Sequence, residues 1–398
     1  MKLKTLIRLK NSMNPGIFET LPDELLVNIC LNLVEMSNFA KVCRKFYNIF
    51  CDEAFWKTKC LQTCSQFPDN IVNWSIFYQS LGKIQTYMRE FNSSGHDLDE
   101  KYPLVKRPIK FDIPIKEIAT GNSFTLILDI YFNVWTVGKV DDLFSHPLSF
   151  PTQIPNFKAK AIFSGNTHVA AIDLDSQIWV WGSNYETKLV VNQNIDKVEY
   201  PILIPGPRAK SLGCGWSQTL VIDVNDNVWG WGANKYGQLG LDNRYNQDLP
   251  VQIPGLKAKS VYGYHLMSAV IDLEDNLWIF GGGLYGPNIL GNNSRNSNKI
   301  QIKHLKVLKV VFTLKFLAIL DLQHQLWLMI GGGFSKFTSN PIRDIYTNQE
   351  KIYMIYNNLE VWEYSKIGFG YPKRDAKLKK MAFKANFISS GCNHIVVY

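Results

Sequence analysis

The stretch 223–240, DVNDNVWGWGANKYGQLG, sets two tryptophans and four glycines among polar residues. On an extended strand, successive side chains point to opposite faces. Trp229 and Trp231 then share one face, and Gly230 and Gly232 the other. Tryptophans on one face suit the gap between two packed sheets. The glycines suit close backbone approach or a positive φ. The polar run from Asp223 to Asn227 reads as a hairpin turn, because short Asp and Asn side chains bond their own backbone there.

The stretch is one copy of a repeat. LDIYFNVWTVG, IDLDSQIWVWG, IDVNDNVWGWG, IDLEDNLWIFG and LDLQHQLWLMI align without gaps, and in each an Asp precedes a Trp by six positions. The pairs are Asp129 with Trp135, Asp173 with Trp179, Asp223 with Trp229, Asp272 with Trp278 and Asp321 with Trp327. Successive tryptophans stand 44, 50, 49 and 49 residues apart. A sixth copy, YNNLEVWEYS, follows after 35 residues with Trp362, and Tyr356 takes the place of the Asp. Around each pair lie an apolar strand after a glycine-containing turn (ATGNSFTLILD, FSGNTHVAAID), an earlier strand (KEIATG, KAIFSG) and a proline-bearing return (PTQIP, PILIP, PVQIP). Period-two alternation, β-branched residues and Asn/Asp/Gly turns favour strands over helices. Repeated four-strand units of this length predict a β-propeller.

The pattern of the first two strands recurs a final time in ISSGCNHIVVY, where the chain stops two strands short of a unit. TYMREFNSSG (86–95), which aligns with VWGWGANKYG with Tyr87 under Trp229, and KYPLVKRP (101–108) supply the missing pair upstream. The expectation is that 84–110 pairs with 375–398, which removes exposed sheet edges.

These motifs resemble the regulator-of-chromosome-condensation repeat family, whose hallmark is similar to WGANKYGQLG, with Gly232 and Gly237 at its glycine positions. The resemblance implies a seven-bladed propeller closed by both chain ends over 84–398. The sixth unit departs most from the pattern.

Residues 19–60 read differently. Thr20 is placed to cap a helix, Pro22 lies near its first turn, and Asp23 and Glu24 suit its positive end. Leu25, Leu26, Ile29 and Leu33 recur at helical spacing, and Val42, Phe46, Ile49 and Phe50 form a second stripe. A piece this small leaves part of its apolar face unburied. LPDELLVNI, VCRKFY and DEAFWK resemble an F-box, with a shortened segment between Leu33 and Val42. The fold class expected is therefore an all-β seven-bladed β-propeller preceded by a small all-α F-box domain. The divisions are a basic tail at 1–17, the F-box at 18–60, a helical linker at 61–83 and the propeller at 84–398. The resemblance implies that Leu21, Pro22, Leu25, Leu26, Ile29, Leu33, Val42, Cys43 and Trp56 bind a Skp-type adaptor, and through it a cullin-RING ubiquitin ligase. The propeller would recruit a protein substrate. The alternatives are an interaction scaffold or, as in some members of the repeat family, guanine nucleotide exchange on a small GTPase. The even repeat spacing leaves no room for a large inserted wedge, which argues against exchange.

Composition bounds the rest. The chain has 398 residues, 46% hydrophobic and 19% charged, a globular balance. No apolar run reaches bilayer length, and the basic start MKLKTLIRLK lacks an uninterrupted apolar region. The seven cysteines, five of them within 30–64, read as reduced thiols of a protein of the cytoplasm or nucleus. Cys60 and Cys64 lack partners at zinc spacing. The net charge of +9 is scattered, without a base-reading helix, so neither nucleic-acid nor membrane partners are expected. GGGLYG (281–286) has no Lys-Ser/Thr after it and is no phosphate loop. His168 and His394 occupy one slot of the repeat, which marks a structural role. No metal, cofactor or catalytic group is expected.

Overall fold

The computed structural model describes residues 83–89, 104–111, 113, 115–122, 124–138, 151–184, 189, 195–282, 299–313, 316–330, 333–338, 340–348, 351–366, 376–390 and 394–397. The chain divides into one unit of 1–83 with 112–114 and a second of 84–111 with 115–398. The tail, F-box and linker expected at 1–82, and all nine adaptor-facing residues, lie outside the described residues.

The second unit is built of antiparallel four-strand meanders. The first holds β3 (Ile115–Thr120), β4 (Phe124–Asp129), β5 (Asn133–Gly138) and β6 (Thr152–Lys158). Next come β7 (Ala161–Ser164), β8 (His168–Ile172), β9 (Ile178–Ser183) and β10 (Lys197–Leu203). A ten-stranded sheet follows: β11 (Ala209–Cys214), β12 (Gln218–Asp223), β13 (Asn227–Gly232), β14 (Gln247–Tyr264), β15 (Met267–Asp272), β16 (Asn276–Gly281), β17 (Ile300–Phe312), β18 (Leu317–Asp321), β19 (Leu326–Ile330) and β20 (Gly333–Thr338). Its long strands β14 and β17 each end one meander and begin the next. Where the sequence reads a break after PVQIP, β14 continues through it; Gly255 turns the backbone at φ +73°, and a Cβ there would meet no atom within 4 Å. The last meander is β21 (Asp344–Thr347), β22 (Lys351–Ile355), β23 (Glu360–Lys366) and β24 (Ala376–Lys384).

The chain ends share one sheet, in the order β2 (Leu104–Lys110), β1 (Lys83–Arg89), β26 (His394–Val397), β25 (Ile388–Ser390). Tyr87 stands opposite Ile395 and Gln85 opposite Val397. In the third meander Trp231 faces Thr219 and Trp229 faces Val221. Tyr87 thus matches Trp231, two residues from the alignment expected with Trp229. A slip of two keeps every side chain on its face, so alternation alone leaves it undetected.

First strands lie side by side. β3 touches β7, β7 touches β11, β11 touches β14, β14 touches β17, β17 touches β21, β21 touches β25, and β25 touches β3. At this last junction Thr120 Oγ1 and Ser389 Oγ are 2.9 Å apart. Second strands are sandwiched between neighbouring sheets, so β4, β8, β12 and β18 are buried along their whole length and lose the expected alternation. The core clusters join neighbouring meanders: Leu126 and Leu128 pack with Val169 and Trp181, and Tyr353 and Ile355 with Ile395 and Val397. Fully burying one such side chain stabilises by about 1.5–3 kcal/mol.

Removing 394–398 takes out β26, a central strand, and strips the apolar partners from Tyr353 and Ile355. The truncated protein is expected to melt at least about 10 °C lower or to aggregate, given the loss of several buried side chains. Calorimetry with size-exclusion chromatography checks this; unchanged melting and monodispersity would refute it.

Candidate functional site

Two constellations stand out: the Asp–Trp pairs, and the axial end of the first strands. In every full copy the Asp closes the hairpin between second and third strands. Asp223 Oδ1 accepts the backbone N–H of Asn225 at 2.8 Å and of Asn227 at 2.9 Å. Its Oδ2 accepts Asn227 Nδ2 at 3.0 Å and Trp229 Nε1 at 2.9 Å. The indole bond recurs in Asp129–Trp135 at 2.9 Å, Asp173–Trp179 at 2.8 Å, Asp272–Trp278 at 2.9 Å and Asp321–Trp327 at 2.7 Å. Three residues after each Asp the chain turns left-handed, at Phe132, Ser176, Asp226, Asp275 and His324. In the sixth copy Leu359 makes the same turn after Tyr356. There Glu360, two residues before Trp362, pairs with Lys380 Nζ at 2.5 Å. Burial works to raise the carboxyls of Asp223 and Asp272, but the hydrogen bonds from Asn, Trp and backbone outweigh it and hold both below the usual carboxylate range.

The glycines of the hallmark are accounted for individually. A Cβ on Gly232, at φ +90°, would lie 2.2 Å from Ser217 O. Gly237 turns the loop that Asn234 holds, with Asn234 Oδ1 accepting Leu239 N–H at 3.0 Å and its Nδ2 donating to Asn243 O at 2.8 Å. His168 is buried, its Nε2 3.2 Å from Thr219 Oγ1 on the next meander. These residues build the ring of sheets. Among the described residues no three His, Cys, Asp or Glu side chains gather as metal ligands would.

At the axial end the turns leaving β3, β7, β11, β14 and β21 converge on a cavity of about 180 Å³. Its rim carries Asn122, Asn166, Trp216, His265 and Asn348. The turns are joined sideways: Asn122 N–H donates to Asn166 O at 2.9 Å and Trp216 N–H to His265 O at 3.3 Å. Trp216 stacks on the His265 ring at 3.8 Å between centroids and is still 40% exposed. Cys214, Gly263, Tyr264 and Thr347 also line an adjoining cavity of about 370 Å³. Burial pushes the Cys214 thiol up to about 12 despite a bond from Thr219, so it stays protonated at neutral pH. The sequence reading missed this site. Its signal was Trp216, an exposed aromatic in the slot that Asn122 and Asn166 fill in other copies.

Glu117, on β3, receives the Ile162 N–H at 3.4 Å. Burial raises its carboxyl to about 7, against smaller lowering effects from Ile162 and Lys116.

Comparison with known proteins places these features. Residues 18–62 match the F-box-like family model. Residues 209–238 and 225–263 match two models of the regulator of chromosome condensation (RCC1) repeat. A search of curated proteins found no match. Among solved structures, human WBSCR16 superposes with a TM-score of 0.64 at 13% identity, over 79% of this chain and 99% of that one. Yeast RCC1 (Prp20), in complex with Kap60, gives 0.61 at 15%, over 79% and 88%. Prp20p from Saccharomyces cerevisiae, described with its binding to Gsp1p and histones, gives 0.60 at 16%, over 79% and 90%. The likeness establishes the fold, an RCC1-type β-propeller.

Two outcomes are expected. Asp223→Ala strips one acceptor from four donors and should destabilise by about 2–4 kcal/mol. Asp223 has a folded pKa below its unfolded one, so its contribution is present above about pH 4 and lost as pH falls further. Chemical denaturation of both proteins at pH 7 and pH 3 should show the gap shrinking in acid. Glu117 has the opposite sign: its folded pKa lies above the unfolded 4.5, so stability falls as pH rises from 4.5 through 7. Glu117→Gln should therefore gain on the parent by on the order of 1–3 kcal/mol more at pH 8 than at pH 4.5. An equal difference at both pH values contradicts the assignment.

Proposed function

We propose that the chain is the substrate-recognition subunit of a Skp–cullin–F-box type ubiquitin ligase, a non-catalytic receptor that works in the cytoplasm or nucleus. The observation that carries this reading is the F-box-like match at 18–62 joined in one chain to RCC1-type repeats. In it, Leu21, Pro22, Leu25, Leu26 and Ile29 present an apolar face to a Skp-type adaptor, which bridges to the cullin and its RING subunit. Several leucines buried at about 1.5–3 kcal/mol each outweigh the cost of association. The propeller, read as seven blades closed by β1 and β2 against β25 and β26, holds the target. Ligation then follows from proximity, with the conjugating enzyme kept near the target's lysines.

The reading gains support from the propeller's polar groups. The carboxylates of the repeats are spent on hairpin turns and indoles, which leaves them to structure. The Lys309–Asp344 pair, at 2.7 Å with Tyr346 Oη donating to Asp344 Oδ2 at 2.6 Å, ties β17 to β21.

Full-length protein mixed with purified Skp-type adaptor should retain it on affinity resin. A Leu25→Asp, Leu26→Asp double variant should lose at least about 90% of capture, since two charges would be buried without partners. Equal capture by the variant would overturn the adaptor role. Nucleotide release from a panel of small GTPases, unaccelerated by the protein, would separate this role from exchange.

A further inference from the structure

We propose that the axial mouth framed by Trp216 and His265 is the target-recognition site of this receptor, and that it takes an uncharged aromatic side chain presented by the target protein. The proposal rests on the receptor reading and adds to it a place and a ligand class.

Four observations converge there. Trp216 is exposed yet fixed: its ring lies 29° from parallel to His265 at 3.8 Å, and its backbone N–H is bonded to His265 O. A large aromatic held in one orientation at a cavity rim adds contact area at little entropic cost. His265 itself sits at φ +46°, a left-handed conformation uncommon for a residue other than glycine. Such backbone positions cluster at binding sites, where the surroundings hold them in place. Its Nδ1 is sealed from solvent and makes no hydrogen bond, a polar atom that a bound donor or acceptor would satisfy. Burial keeps the ring below the usual imidazole range, and so neutral at pH 7.

The lining chooses the ligand class. Among the described residues around the mouth, the polar side chains are Asn, Ser, Thr, Tyr264, His265 and Cys214, and none is Lys, Arg, Asp or Glu. Against these described groups a phosphate or carboxylate would lose water without gaining an opposite charge, and an ammonium likewise. A neutral ring loses little. Its face meets Trp216 at the rim, where Tyr264 also lines the cavity. The cavity of about 180 Å³ accepts one such side chain.

The test uses the full-length protein and two defined probes, N-acetyl-tryptophanamide and N-acetyl-O-phosphoserinamide, titrated by saturation-transfer NMR. Tryptophanamide should bind saturably. Its affinity should fall at least about tenfold in Trp216→Ala and in His265→Ala, and hold in Tyr245→Ala, whose ring is 79% exposed away from the mouth. Melting curves of all three variants should match the parent within a few degrees. Phosphoserinamide should show no saturable binding. The site is overturned by absence of tryptophanamide binding to the parent, or by affinity unchanged in both Trp216→Ala and His265→Ala. The ligand class is overturned by phosphoserinamide binding as tightly as tryptophanamide. Adaptor capture by the same Trp216→Ala protein should equal that of the parent. Probe binding with no adaptor capture by the parent would overturn the receptor reading while leaving the site.

Discussion

One carboxylate, placed six residues before a tryptophan, organises each repeat. It accepts two backbone N–H groups that close the turn and an indole N–H that fixes the tryptophan between sheets. Charge-assisted bonds of this kind contribute about 1.5–3 kcal/mol each. The turn so shaped forces a left-handed residue, and that residue's carbonyl reaches the next unit. Phe132 O accepts Ala159 N–H, Ser176 O accepts Ala209 N–H, Asp226 O accepts Ala258 N–H, and Asp275 O accepts Val307 N–H. Turn, aromatic filler and link between neighbouring sheets thus descend from a single side chain. Lysines complete the joint: Lys257 Nζ donates to Asn225 O and Lys306 Nζ to Glu274 O, each from one unit to the turn of the one before.

The irregular copy keeps the turn without the Asp. Tyr356 stands in the Asp position, and Glu360, on the far side of the turn, pairs with Lys380 Nζ at 2.5 Å. The left-handed residue and its forward bond persist, Leu359 O accepting Ala385 N–H at 3.1 Å. A buried pair, Lys351 with Glu363 at 2.6 Å, adds a second polar tie within that meander. Geometry is retained although the residue that imposes it elsewhere is replaced.

What the sequence discloses follows from how local each constraint is. The Asp-to-Trp spacing, the Asn234 loop and the strand content are legible because each is settled within a few residues. The alternation of second strands fails because burial on both faces depends on sheets distant in sequence; TLILD and TLVID are sandwiched, so both faces turn apolar. Tyr87 is misassigned by two because a strand slipped by two residues looks the same to its faces. The axial mouth escapes because it is made of turns from units some 45–50 residues apart, brought together only by closure, with Trp216 its single compositional trace. The F-box-like match at 18–62 rests on residue order, a family pattern that helix periodicity alone lacks.

The account holds or falls on the bond between the repeat carboxylates and the indoles. The direct measurement is hydrogen exchange of tryptophan Nε1–H signals, assigned by single Trp→Phe variants. The five protons of Trp135, Trp179, Trp229, Trp278 and Trp327 should exchange slowly at neutral pH, and those of Trp229 and Trp278 should lose protection as Asp223 and Asp272 protonate in acid. Exchange of those five at the rate of free indole at neutral pH would contradict it.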